Sequence, residues 1–303
     1  MAERRTAIVV MGDVIDDIVV QPLRPVEPDN DTPATITARP GGSAGNAAAW
    51  LGTLGAEAVF VGRVGAADAD RHAALFRAAN VEPRLSIDPR LPTGAVVSIV
   101  EGQSRTMLTQ RGANTAFDPA AVTDELLERA AVLHLTGYTL FGAADLAPYR
   151  TLFERARARG VAISVDCGSA SFLRGDGRDR FLDAIEGATI LFPNLDEGMA
   201  LSGSSEPEDV AAGLAELFPL VALTLGEDGC LVAQSGHPSL AVPALPTVVV
   251  DTTGAGDAFA AGFLTEWVRS GSPAGAGAAG VTAAARCVGT VGGRPDGGPP
   301  ATG

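Results

Sequence analysis

Short β-branched runs alternate along the chain with longer Ala- and Leu-rich amphipathic runs. The short runs predict strands at Ala7–Met11, Ala58–Val61, Val132–Thr136, Ala162–Asp166, Thr189–Phe192, Val221–Thr224 and Thr247–Val250. The long runs predict helices at Ala44–Leu54, Asp68–Ala79, Pro119–Ala130, Asp145–Arg159, Pro207–Leu217, Ala258–Arg269 and Pro273–Cys287. Asp118 before Pro119 reads as an N-cap and first-turn pair, and Gly55 and Gly160 sit where a left-handed residue closes a helix. Such alternation predicts an α/β fold, with a mostly parallel central sheet covered by helices on both faces. Two stretches break the pattern. Ile18–Pro40 is extended and Pro-interrupted, and Thr93–Gln110 reads as a hairpin around Glu101-Gly102-Gln103. Together, as segments 14–40 and 93–112, they predict a small antiparallel β lid on a single domain spanning 1–303. The Gly/Pro-rich stretch 292–303 is expected to fray as a flexible tail.

Charge narrows the chemistry. The 22 basic residues are all Arg, and 36 acidic residues bring the net charge to −14. Without Lys, a Schiff base or a Walker A loop is excluded. The acidic balance disfavours nucleic acid or an anionic membrane as the main partner. Three His and the widely spaced Cys167, Cys230 and Cys287 do not make a zinc site. The same cysteines suit a reducing compartment, so a cytoplasmic setting is expected. The first apolar run, closed by Asp13, reads as a buried strand and not as a signal peptide.

The sharpest segment runs Val249-Val250-Asp251-Thr252-Thr253-Gly254-Ala255-Gly256-Asp257-Ala258-Phe259. An apolar run enters a Gly-rich turn and leaves as a helix. The amides of Gly254, Ala255, Gly256 and Asp257 would then be the unpaired donors of a helix N-terminus, suited to a phosphate and to the charge that develops in phosphoryl transfer. Asp257 at their mouth can take the proton of an incoming hydroxyl, or it can simply cap its helix. The two glycines directly before it favour catalysis. Phe259 stands where a dinucleotide fingerprint has its third glycine, so an NAD-binding loop is disfavoured. A second Gly-rich turn, Gly41-Gly42-Ser43-Ala44-Gly45-Asn46, opens another helix. The amide of Asn46 offers both a donor and an acceptor to a polyhydroxyl ligand.

Taken together, the two segments resemble the paired signatures of the ribokinase-like (PfkB) family of carbohydrate kinases. Gly41 to Gly65 is similar to the N-terminal signature, and Asp251 to Asp257 to the C-terminal one. The resemblance implies an ATP-dependent sugar kinase acting on a hydroxymethyl group. Asp257 would be the base, and Gly254, Ala255 and Gly256 would form the anion hole. Asp17, with Asp13 assisting, and Gly41, Gly42 and Asn46 would bind the sugar. Asp16 turns to the other face of its extended segment. The resemblance also implies that Asn194 and Glu197 order Mg2+ largely through water, and that Thr224, Gly226 and Gly229 belong to the nucleotide site. Asp251 and Thr253 would sit beside a possible K+, and the lid would serve for homodimer contact. Arg105, Arg111 and Asn114 are further candidates for substrate contact.

Two rivals stand beside this reading: a nucleoside kinase of the same fold, and a sugar-binding sensor without turnover. His72 and His237 are expected to be solvated. His134, Trp50 and Trp267 are expected to be core residues.

Overall fold

The structure, a computed structural model, describes residues 5–101 and 104–295. In chain order the strands are β1 Ala7–Met11, β2 Ile15–Pro22, β3 Ala34–Gly41, β4 Ala58–Gly65, β5 Val81–Asp88, β6 Gly94–Glu101, β7 Ser104–Gln110, β8 Ala130–Thr136, β9 Ala162–Asp166, β10 Ile190–Phe192, β11 Leu220–Thr224, β12 Cys230–Ala233 and β13 Leu240–Val242. The helices are α1 Ser43–Thr53, α2 Ala69–Ala78, α3 Asp124–Arg129, α4 Gly137–Phe141, α5 Ala147–Ala158, α6 Asp176–Ala184, α7 Leu195–Ser202, α8 Pro207–Ala215, α9 Ala255–Ser270 and α10 Pro273–Val288.

Nine strands form the main sheet in the order β13-β12-β11-β10-β9-β8-β1-β4-β5. It is parallel except at the β11–β12 and β12–β13 edge. β1 reads AIVVM, is buried throughout, and splits its side chains between two cores. Val9 and Met11 pack with α3, α5, α6 and α8, whereas Ile8 and Val10 pack with α1, α2, α9 and α10. Strands buried on both faces are why this sheet reads as near-continuous apolar runs. The second sheet, β3-β2-β6-β7, is the lid. Its two hairpin ladders are antiparallel, and the junction of β2 with β6 is parallel. None of the described helices is long and apolar enough to cross a membrane.

Several expectations need correction. Thr247–Val250 is not a strand. β13 already pairs with the outer edge of β12, Pro243 and Pro246 interrupt the chain beyond it, and Val248 is 81% exposed. The helix expected over Pro119–Ala130 is split. Asp118 caps only a single 3-10 turn through the Ala120 amide, Thr123 then caps α3 through Leu126, and Ala130 already belongs to β8. His72 is fully buried and not solvated, because its face of α2 packs against the base of the lid near Asp16. Residues 292–295 do not fray: Gly292 donates to Asp251 and Gly293 accepts from Trp50. Residues 296–303 lie outside the described residues, as does the expected turn at Gly102-Gln103. Gly55 and Gly160 behave as expected, at φ 85° and 69°.

Candidate active site

The parallel strands β1, β8, β9, β10 and β11 deliver Asp13, Tyr138, Asp166, Asn194 and Thr224 to one side of the sheet, at or just beyond their C-terminal ends, and the lid crosses that side. Ligands of open α/β sheets lie in this position. A cavity of about 880 Å³ opens there.

The two Gly-rich turns meet inside it. Gly42 has φ 85°, and a Cβ there would come within 2.7 Å of the Asp13 carbonyl. α1 begins immediately after it. α9 begins at Gly254, φ 77°, where a Cβ would come within 2.4 Å of Gly293 Cα. Asp257, in the first turn of α9, is held by the first turn of α1. Ser43 Oγ donates to Asp257 Oδ1 at 2.6 Å, and Asn46 Nδ2 donates to Asp257 Oδ2 at 2.9 Å. The amides of Gly254, Gly256 and Asp257 find no acceptor among the described residues. The Ala255 amide does, at 3.3 Å from the Thr252 carbonyl, so it drops out of the expected four-donor cradle.

Burial pushes the Asp257 carboxyl up to about 7, against the pull of its Ser43 and Asn46 donors. Asp166 and Glu197 line the same cavity, and burial raises both carboxyls; at Asp166 the charges of Glu197 and Asp257 raise it further. Burial likewise drives Tyr138 up to about 12. A space that disfavours so much negative charge is suited to a proton or a cation. No three His, Cys, Asp or Glu among the described residues converge into a metal cage. Mg2+ needs no such cage, because it keeps waters and takes phosphate oxygens with one or two carboxylates. Asp166 and Glu197 fit that role.

The other expected residues divide. Asp17 lines the cavity from β2, while Asp16, one residue away, points out to Arg71, as strand alternation requires. Asp13 lines the cavity too, but its carboxylate caps α1, accepting from the amides of Ser43 at 3.1 Å and Ala44 at 3.4 Å. Gly41 sits behind the cavity, with its carbonyl taken by Arg294 at 2.8 Å. Asn194 and Glu197 form a capping box on α7: Glu197 N–H donates to Asn194 Oδ1, and Asn194 N–H to Glu197 Oε2, both at 2.9 Å. Asn114 is a structural bracket that bonds the amide and the carbonyl of Val14. Arg111 reaches the cavity wall and donates to the Tyr138 carbonyl at 2.7 Å. The side chain of Arg105 lies outside the described residues. At Asp251, Oδ1 accepts from Thr253 and Oδ2 from the Gly292 amide, so this carboxylate ties two loops together.

Thr224, Gly226 and Gly229 line a second cavity of about 710 Å³, walled by Leu245, Pro246, Val249, Ala285 and Val288. The two cavities share Thr224, Thr252, Ala255, Gly256 and Phe259, so the bare amide of Gly256 stands where they join, with those of Gly254 and Asp257 on the side of the first. Asp166 and Arg294 were not singled out from sequence. Asp166 had a signal, as a carboxylate at the end of an apolar strand. Arg294 had none.

Comparison with known proteins gives the family and the fold. The family model described as "pfkB family carbohydrate kinase" matches residues 5–297. The bifunctional protein HldE of Rhodopseudomonas palustris strain HaA2 is 30% identical over 279 residues, covering 85% of this chain and 54% of that protein. The chain thus spans about half the length of this relative. Among solved structures, a probable sugar kinase from Rhizobium etli CFN 42 superposes with a TM-score of 0.83 at 25% identity, covering 97% of this chain and 96% of that one. Adenosine kinase from Sinorhizobium meliloti does so with 0.83 at 26% identity, covering 96% of each chain. Arabidopsis thaliana ribokinase, solved with ribose and ATP, shares the fold with a TM-score of 0.79 at 24% identity, covering 96% of each chain. On the match across nearly its whole length, this chain belongs to the pfkB family of carbohydrate kinases.

Proposed function

We propose that this chain transfers the γ-phosphate of ATP to a hydroxymethyl group of a small carbohydrate. The observation that carries the reading is Asp257. Its half-buried carboxyl, fixed by Ser43 and Asn46, stands beside the unpaired amides of Gly254 and Gly256 where the first cavity meets the second, and desolvation pushes it up to about 7. The acceptor lies under the lid against Asp17, Gly42 and Asn46. The adenine end of ATP lies in the apolar second cavity, with Thr224, Gly226 and Gly229 at its edge. Asp257 takes the hydroxyl proton as the oxygen attacks the γ-phosphorus. The new O–P bond forms, the bond to the bridging oxygen breaks, and ADP leaves. Amide donors of Gly254, Gly256 and Asp257 face the charge that grows on the transferring group. Mg2+, held by Asp166 and Glu197, would supply charge neutralisation for the phosphates. The Asp251 loop is closed by its own hydrogen bonds, so the reading assigns no step to K+. A second copy of the chain pairs lid to lid over exposed Ile36 and Leu108, which light scattering of the purified protein would detect as a dimer.

A nucleoside acceptor is the second reading, and one wall favours it. Tyr138, Phe141 and Phe172 line the main cavity, with Phe141 stacked on Phe172 at 4.7 Å between centroids. Opposite them, the lid offers Val96 and Met107. A base can lie flat between such faces, whereas sugar hydroxyls there would lose their partners. Measuring ADP release with a panel of purified sugars and nucleosides tests both readings. Turnover with neither class, despite measurable binding, would favour a sensor and reject both.

A further inference from the structure

After α10 the chain passes behind the site and stitches it together. The Val291 carbonyl accepts from Arg39 of the lid, and the Gly293 carbonyl accepts from Trp50 Nε1 at 3.0 Å. Arg294 follows. Its guanidinium lies 4.8 Å from the Phe76 ring centroid. Nη2 donates to the Gly41 carbonyl at 2.8 Å, and Nε donates to Asn46 Oδ1 at 3.3 Å. The fit is close enough that a Cβ on Gly45 would come within 2.5 Å of Nη2.

This contact decides which way Asn46 faces. A side-chain amide has an acceptor end and a donor end, and a guanidinium offers donors only. With Oδ1 turned to Arg294, Nδ2 must turn to Asp257, where it donates at 2.9 Å. The reversed amide would set two donors against each other and an oxygen against the carboxylate. Arg294 also places a half-buried positive charge near Asp17, Asp13, Asp16 and Asp257; desolvation lowers the guanidinium to about 10.

We propose that Arg294 is a positioning residue for the reaction: by holding Asn46 Oδ1 it directs the Nδ2 donor onto Asp257 and favours the ionised base. The proposal rests on the kinase reading for its effect on turnover, but not for its effect on Asp257. Among the described residues, the titratable or charged groups facing Asp257 are Asp13, Asp166 at the end of β9, Tyr138 of α4, Cys287 of α10 and Arg294 itself. All but Arg294 disfavour the carboxylate or are neutral, so its removal raises the pH at which Asp257 ionises.

Two measurements test this on the full chain. The first needs no activity. The melting temperatures of wild type and Asp257→Asn, followed across pH 5 to 9, report where Asp257 ionises. The same pair is then measured in an Arg294→Met background. The midpoint is expected to move to higher pH with Met and to stay near wild type with Arg294→Lys. Asn46→Ala should move it the same way and add little to Arg294→Met, because the two act through one hydrogen-bonded chain. An unchanged midpoint in both Arg294→Met and Asn46→Ala would overturn the proposal. The second measurement is turnover with whichever acceptor wild type uses. Arg294→Met should lower kcat about tenfold or more, as expected for losing a hydrogen bond to a charged group. KM for ATP should stay within about twofold. A fall in kcat without the shift in midpoint would make Arg294 merely structural and overturn the proposal. Wild type that releases no ADP with any acceptor would reject the kinase reading alone, since the melting series stands without it.

Discussion

The two cavities share a wall of five residues and are otherwise opposites. The one under the lid gathers Asp13, Asp17, Asp166, Glu197 and Asp257. The one between β11, α9 and α10 is apolar, with Glu227 as the single acidic side chain among the described residues that line it. In the first, burial makes the protons of Asp166, Glu197 and Asp257 hard to remove, whereas the second offers shape and apolar surface. Binding energy can be collected on either side, but only the first is arranged to move a proton. Groups that burial destabilises in the charged form are the usual signature of a reactive centre.

The comparison can be broken most directly at Asp257. Asp257→Asn keeps both flanking hydrogen bonds, since its Oδ1 can accept from Asn46 while its Nδ2 donates to Ser43. Its kcat is expected to fall by about 10²- to 10⁴-fold with the acceptor still bound, in a steady-state assay paired with calorimetry. The same group sets a pH dependence of defined sign. A base that ionises at about 7 makes kcat/KM rise through that pH. Stability moves the other way. Below pH 4 the carboxyl is protonated both folded and unfolded, and above about 7 it is charged in both, where burial penalises the native state. Asp257→Asn should therefore melt above wild type at pH 8, with the gap closing towards pH 4.

Smaller effects should separate the two sides. Asp17→Asn is expected to raise the acceptor KM about tenfold and leave the ATP KM unchanged, the size of one hydrogen bond to a charged group. Leu245→Asp should do the reverse, by a few-fold to about tenfold, because it replaces part of an apolar wall. Paired KM measurements would show the split, and equal changes in both substrates would contradict it.

What was legible from sequence follows the same division. The Gly-rich turns could be read because close backbone approach leaves only small residues, and Asp257 follows from its place in the second turn. β1 and β9 were predicted to the residue, since strands buried on both faces leave an uninterrupted apolar run. Thr247–Val250 carries the same kind of run and is loop, because edge pairing by β13 is a tertiary fact that no local pattern contains. His72 looked exposed on its helix until the lid covered it. For Glu197 the resemblance implies metal ordering, and the structure gives it a capping box and a place in the cavity. Asp166 and Arg294 are brought in by the fold from remote segments, and a lone Arg in a Gly/Pro-rich stretch carries no local sign of burial.

The central claim is that one junction serves both substrates. A crystal structure with a non-hydrolysable ATP analogue and a turned-over acceptor tests it most directly. The account predicts the γ-phosphate on the amides of Gly254, Gly256 and Asp257, with the acceptor's hydroxymethyl oxygen within about 3 Å of the Asp257 carboxyl, hydrogen-bonding distance for a base. A γ-phosphate bound elsewhere, or an acceptor hydroxyl out of reach of Asp257, would contradict it.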